Sequence, residues 1–83
     1  MLIATLNHNL PDLTDNLVTQ LKRDSYFNEC ELMVLDNGSK ESLAKSTTHQ
    51  VDQNVFFGGG FNIVLDYFLN NTTHEWLYFL KMI

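Results

Sequence analysis

Four short segments of the chain are almost continuously apolar, and polar residues bound each of them. They are MLIATL (residues 1–6), CELMVLD (30–36), a short run within HQVDQNVFF (49–57) and EWLYFL (75–80). Short apolar runs of this kind are typical of strands that are covered on both faces. The pattern therefore predicts four short buried strands.

Between these segments, apolar residues recur at helical spacing in two longer stretches. In the first stretch they are Leu10, Leu13, Leu17, Val18 and Leu21, and in the second they are Phe61, Val64, Leu65, Phe68 and Leu69. The first stretch also has an acidic residue in its first turn and basic residues in its last turn, which is typical of a helix. We predict helices over residues 12–24 and 59–70. A turn at NGSKES (37–42) predicts a third, weaker helix that ends near Thr48.

Strands that alternate with helices over short loops form a parallel sheet with right-handed crossovers. The predicted fold is therefore α/β, a three-layer Rossmann-like arrangement of about four parallel strands with flanking helices. In such sheets, ligands bind outside the carboxyl ends of the strands. This rule selects the loops NHN (7–9), DNGS (36–39) and FFGGG (56–60), and whatever follows the fourth strand.

Composition narrows the classes of function. The chain has 83 residues, enough for one small domain, and a net charge of −5, which argues against nucleic-acid binding. Its start lacks the pattern of a signal peptide, and no apolar run approaches the roughly 20 residues of a membrane span. A single cysteine, Cys30, allows no internal disulfide. We therefore expect a cytoplasmic protein.

The segment LDNGS (35–39) is the most informative polar stretch. A carboxylate at the tip of a buried strand is costly without partners, and Asp36 is followed by an amide, a turn residue and a hydroxyl. One interpretation is that Asp36 recognises N–H or hydroxyl groups of a ligand. The other is a tight turn in which Ser39 caps a helix. These five residues alone favour the turn.

The segment FFGGGFN (56–62) opens a predicted helix, and bare backbone at a helix start can approach an anion. It contains neither the dinucleotide-binding fingerprint nor a P-loop, so a close-packed turn is an equal alternative. Asn62 lies beside the apolar stripe, where its side chain needs a partner. The histidines His8, His49 and His74 lack the spacing of metal ligands.

Taken in order, four segments resemble the amino-terminal half of the family-two glycosyltransferases with the A-type fold, in particular their rhamnosyltransferase-like branch. The segments are IATLNHN (3–9), ELMVLDNGSKES (31–42), NVFFGGGFNIVL (54–65) and EWLYFL (75–80). The Asp-Asn-Gly-Ser turn is the most specific of the four. The resemblance covers almost the whole chain and implies the strand order 3-2-1-4.

The resemblance also implies a nucleotide-binding site for a UDP- or dTDP-sugar. By this comparison, the backbone of Ala4, Thr5, Leu6 and Asn7 lines the base pocket. Asp36 and Asn37 meet the base. The stretch with Gly58, Gly59, Gly60 and Asn62 lies near the ribose and phosphates.

The sequence departs from the family at KMI (81–83), where the family has the Asp motif that holds a divalent cation, Mg or Mn. The resemblance thus implies a truncated nucleotide-sugar-binding subdomain over residues 1–83, with no catalytic residue, no metal ligand and no transferase activity of its own. One alternative is an assembly module that self-associates, as a homodimer or larger homo-oligomer, through an exposed C-terminal strand. A further alternative is an unrelated α/β nucleotide or flavin binder.

Overall fold

The computed structural model describes residues 1–80, so the KMI segment lies outside the described residues. Four strands form one parallel sheet: β1 (Leu2–Asn7), β2 (Glu31–Asn37), β3 (His49–Val51) and β4 (Leu77–Phe79). Their order is β3-β2-β1-β4, and each neighbouring pair is parallel. The α/β fold and the strand order 3-2-1-4 are thereby confirmed, with CELMVLD in the interior of the sheet.

The two central strands pair with each other more completely than with the outer strands. Strands β1 and β2 pair along their full lengths, from Leu2 opposite Glu31 to Asn7 opposite Asp36. Strand β4 pairs only with the first half of β1, whereas β3 pairs only with the last three residues of β2. The carboxyl ends of β1 and β2 therefore lie side by side.

Helix α2 (Phe56–Asn71) covers one face of the sheet and forms the apolar core with it. The fully buried members of this core are Leu2, Ala4, Leu6, Met33, Leu35 and Val64. Successive side chains of a strand point to opposite faces, so the even positions of β1 pack here. The helix begins three residues earlier than predicted, and Leu69, which we placed on its apolar stripe, is 65% exposed.

Helix α1 (Pro11–Lys22) lies on the opposite face, where its buried residues are Thr14 and Val18. The predicted stripe is wrong at its first two members, because Leu10 and Leu13 are exposed. Thr14 turns inward instead and bonds to Asn7 of β1. This face of the sheet is accordingly more polar than the face under α2. A short 3-10 helix, Ser25–Glu29, leads from α1 into β2.

The weak helix predicted between β2 and β3 is absent, and this segment is an irregular loop. The Asp15 side chain of α1 accepts hydrogen bonds from the backbone amides of Lys45 and Ser46, each at 3.0 Å, and from the Ser46 hydroxyl at 2.7 Å. Burial raises the pKa of Asp15, but the Ser46 and Lys45 hydrogen bonds outweigh it and leave the pKa lowered. These hydrogen bonds between α1 and the loop take the place of the helical hydrogen bonds that the prediction assumed in this segment.

No helix of the described residues is long and apolar enough to cross a membrane.

At the amino ends of the strands, Glu31 joins three elements. Its carboxylate accepts a short hydrogen bond from the Tyr67 hydroxyl of α2, and His74 Nε2 lies 2.9 Å from its other oxygen. These two hydrogen bonds, first that from Tyr67, lower the pKa of Glu31. The same contact raises the pKa of Tyr67. The ionised carboxylate therefore ties β2 to α2 and to the segment before β4.

We predict that this contact makes stability depend on pH in the acid range. A carboxyl with a lowered folded-state pKa stabilises the fold above its unfolded value, near 4.5, and this stabilisation is lost as the pH falls through the folded value. Urea unfolding at several pH values between about 3 and 6 should show a shallower acid slope for Glu31→Gln than for the original chain. An unchanged slope would contradict the assignment.

A second prediction concerns Gly38, which closes the loop after β2. Its φ is +70°, and a Cβ at this position would lie 2.2 Å from the backbone nitrogen of Asn54. We expect Gly38→Ala to destabilise the fold by about 2 to 4 kcal/mol in urea denaturation.

Gly58→Ala is the matched control, because a Cβ there meets nothing within 4 Å. It should leave stability unchanged or raise it by up to about 1 kcal/mol, since alanine favours a helix. Equal stabilities of the two variants would refute the close approach at Gly38.

Candidate functional site

The carboxyl edge of the sheet, which we define as residues 7–10, 36–40 and 54–60, holds the candidate site. The strand order reverses between β1 and β4, because the chain builds outward from β1 to β3 and then returns to the other side of β1. In open parallel sheets this switch point opens a crevice beyond the strand ends. The three loops of the carboxyl edge lie at or beside this position.

A buried polar network underlies the carboxyl edge. It consists of Asn7, Thr14, Asp36 and Ser39, of which only Ser39 is not fully buried. Asn7 lies at its centre: its Nδ2 donates to Asp36 Oδ1 at 3.1 Å, and its Oδ1 accepts from the Thr14 hydroxyl at 2.7 Å. One amide thus links both central strands to α1. Each bond joins groups that burial would otherwise leave unsatisfied.

Asp36 folds the following loop back on itself. Its Oδ2 accepts from the Ser39 amide at 2.9 Å, and its Oδ1 accepts from the Ser39 hydroxyl at 2.6 Å. The same hydroxyl accepts from the Asn9 amide at 2.8 Å. The tight turn is therefore present, but Ser39 caps no helix. Its hydroxyl instead couples the loop after β2 to the loop after β1.

Asn37 holds the start of α2 in a comparable way. Its Oδ1 accepts from the Val55 amide at 2.9 Å, and its Nδ2 donates to the Phe56 carbonyl at 3.1 Å. Its own carbonyl lies 2.7 Å from His8 Nδ1, which must carry the hydrogen because a carbonyl can only accept. All three loops of the carboxyl edge are thus tied to the ends of the two central strands.

The three glycines after Phe57 have different surroundings. Gly60 is buried, and a Cβ there would lie 2.6 Å from Leu6 Cδ1, so this glycine lets α2 approach β1 closely. Gly59 faces the Val55 side chain at the base of the same turn. Gly58 is exposed and open on its outer side. The segment is thus a close-packed helix start on its inner side and bare backbone on its outer side.

The structure brings most of the predicted site residues to the carboxyl edge but buries them. Ala4 and Leu6 lie in the core under α2, while Thr5 and Asn7 are buried on the other face of β1. Asp36 and Asn37 are 1% and 0% exposed. Gly58 and Asn62 are exposed, and Asn62 faces solvent rather than the partner we expected. Among the ten residues that the resemblance assigns to the nucleotide site, Gly58 and Asn62 have the most accessible surface.

Two members of the site were missed from the sequence. Thr14 interrupts the apolar spacing between Leu10 and Leu17, and this could have marked it as an inward polar residue. Asn54 accepts from the Phe56 amide at 2.8 Å and so shapes the entry to α2. No local pattern distinguishes Asn54 from an ordinary loop asparagine.

Within residues 1–80, no group of three or more histidine, cysteine or acidic side chains is placed to hold a metal ion. At the carboxyl edge, His8 bonds to the Asn37 carbonyl, and Asp36 bonds to Asn7 and Ser39.

Comparisons with known proteins identify no family for this chain. No protein-family model, no curated protein and no solved structure matches it. The fold is therefore shown by the structure itself, and functional inference rests on the geometry of the carboxyl edge and on the resemblance of its segments.

We predict that the polar network contributes measurably to stability through Asn7. Asn7→Ala removes a partner from both the Thr14 hydroxyl and the Asp36 carboxylate, which should cost about 1 to 3 kcal/mol in urea denaturation. The control is Asn62→Ala, an exposed asparagine on α2, which should change stability by no more than about 0.5 kcal/mol. If both variants unfold alike, the network does not hold the carboxyl edge together.

Proposed function

We propose that this chain binds the nucleoside diphosphate part of a nucleotide sugar, of the UDP or dTDP class, at the carboxyl edge. The observation that carries the proposal is the convergence there of three loops at or beside the topological switch point, fixed by hydrogen bonds from the buried side chains of Asn7, Asp36 and Asn37. A prearranged site of this kind lowers the ordering cost of binding. The order of the four segments that resemble family-two glycosyltransferases supports the same conclusion.

The phosphates are assigned to the first turn of α2. This helix is 16 residues long and starts at the carboxyl edge, and Gly58 leaves its backbone uncovered. The amides of Val55 and Phe56 bond to Asn37 and Asn54, so the remaining amides of the first turn are the ones that would favour an anion. The net charge of −5 opposes an anionic ligand, so we expect weak binding by this chain alone.

The base is assigned to the turn that Asp36 organises. Asp36 Oδ1 already accepts two hydrogen bonds and its Oδ2 accepts one. A carboxylate has about four acceptor positions, so about one remains. Because the side chain is 1% exposed, its main role in this proposal is to present the backbone of residues 37–39. This modifies the direct contact that the resemblance implies.

Sugar transfer is not part of the proposal. Departure of a diphosphate needs stabilisation of the charge that develops on it, which the family supplies with Mg or Mn. By the same resemblance, the sequence has KMI (81–83) where the family has the Asp motif that holds this ion. The chain would then act as a nucleotide-sugar-binding unit, with the cytoplasm as its expected compartment.

We predict that titration with UDP or dTDP shifts the amide NMR signals of residues 7–9, 36–39 and 56–60. Gly58→Ala should weaken binding about tenfold, equivalent to about 1.4 kcal/mol. Its Cβ meets no protein atom, so any loss reports contact with the ligand. The control is Asn71→Ala, at the opposite end of α2. Shifts confined to other regions, or no shifts, would remove the nucleotide proposal.

A second candidate function is self-association through β4. This strand lies at an end of the sheet order, so one side of its backbone has no neighbouring strand in the described sheet. Leu77 and Phe79 pack toward α2, which leaves Trp76 and Tyr78 on the other face at 72% and 58% exposure. An exposed aromatic edge strand is a template for pairing with a second copy.

We predict a dimer at micromolar concentration in sedimentation analysis. Tyr78→Lys places a charge on β4 and should shift the protein toward the 9.6 kDa monomer. Leu69→Lys is the control, since Leu69 is equally exposed but lies on α2. A monomeric original chain would show that β4 does not act as an interface.

A further inference from the structure

Phe56, the first residue of α2, combines three unusual properties. Its φ is +61°, a left-handed conformation in which bulky side chains are rare and strained. Its side chain is 73% exposed. Its ring also takes no part in the aromatic pairs of residues 1–80, which join Phe57, Phe61 and Phe79 to one another and His49 to Tyr67.

The fold does not need a phenylalanine at this position. Glycine adopts a positive φ without the steric cost, and an exposed ring contributes little burial to the core. The hydrogen bonds that fix the turn use backbone atoms of Phe56 only: its amide donates to Asn54 Oδ1, and its carbonyl accepts from Asn37 Nδ2. Any residue except proline would offer these two groups.

The constraint instead fixes the direction in which the ring leaves the chain. Asn37 and Asn54 hold the backbone on both sides of the Cα, at 3.1 Å and 2.8 Å. Asn37 directly follows Asp36, and the exposed Gly58 lies two residues beyond Phe56. The backbone of Phe56 therefore lies between the turn assigned to the base and the helix start assigned to the phosphates.

We infer that the Phe56 ring is a stacking platform for the base of the bound nucleotide, an inference that rests on the nucleotide site proposed above. A flat apolar surface beside hydrogen-bonding backbone suits a heteroaromatic base, which has polar edges and a π face. Base–aromatic stacking contributes strongly to affinity and tolerates different bases. Affinity should thus depend on Phe56 whether the base is uracil or thymine.

The test uses Phe56→Gly, which removes the ring and also relieves the positive φ. We expect it to unfold at a higher urea concentration than the original chain and to bind UDP about tenfold more weakly. Phe56→Ala should lose the same affinity without the gain in stability, because alanine is also strained at this φ.

Trp76→Ala is the matched control: this ring is 72% exposed but lies before β4, so UDP affinity should not change.

Two further readouts separate the possible failures. Nuclear Overhauser contacts should join the Phe56 ring protons to H5 and H6 of the uracil, and affinity for inorganic pyrophosphate should be the same with and without the ring. If the original chain binds UDP and Phe56→Gly binds it equally well, the stacking inference is overturned while the nucleotide site stands. An equal loss for pyrophosphate also overturns it, since the substitution then acts through the loop. If the original chain does not bind UDP, both proposals fail.

Discussion

The hydrogen bond from Asn7 to Asp36 is the interaction on which the carboxyl edge depends. It joins the last residue of β1 to the strand position opposite it, at a depth where neither side chain reaches water. Low local dielectric strengthens such a bond and makes its loss costly. Thr14 bonds to Asn7 and so connects this pair to α1. Ser39 bonds to Asp36 and connects the pair to the turn after β2. Loops that would otherwise be independent are thus positioned by one set of buried polar groups.

This arrangement separates what builds the site from what can touch a ligand. Asp36 and Asn37 have the chemistry of a recognition site, yet their side chains are engaged by Ser39, Val55 and Phe56. Backbone groups and the exposed Gly58 remain available at the surface. In the proposed site, a ligand would therefore meet mainly loop backbone, and the buried side chains would fix the loops.

Much of the fold followed from the sequence because continuous apolar strands and helical spacing are local properties. The apolar run of CELMVLD predicted a strand covered on both faces, and the strand order implied by the resemblance placed it inside the sheet. The helix predicted after Asp36 failed because Asp15, which is distant in sequence, binds the amides of Lys45 and Ser46. The rotation of α1 likewise depends on Thr14 meeting Asn7. Both errors arise from side-chain bonds between segments, whose partners the apolar pattern does not specify. The left-handed conformation of Phe56 could not be predicted for the same reason, because it is fixed by hydrogen bonds with the side chains of Asn37 and Asn54.

The central claim is that the polar network holds a nucleotide site ready at the carboxyl edge. Amide hydrogen exchange in the presence and absence of saturating UDP tests it most directly, because it reports each loop separately. We predict that UDP slows exchange at residues 37–39 and 57–60 and leaves the opposite end of the sheet, residues 70–74, unchanged. Unaltered exchange at the carboxyl edge, or protection centred on residues 70–74, would contradict the claim.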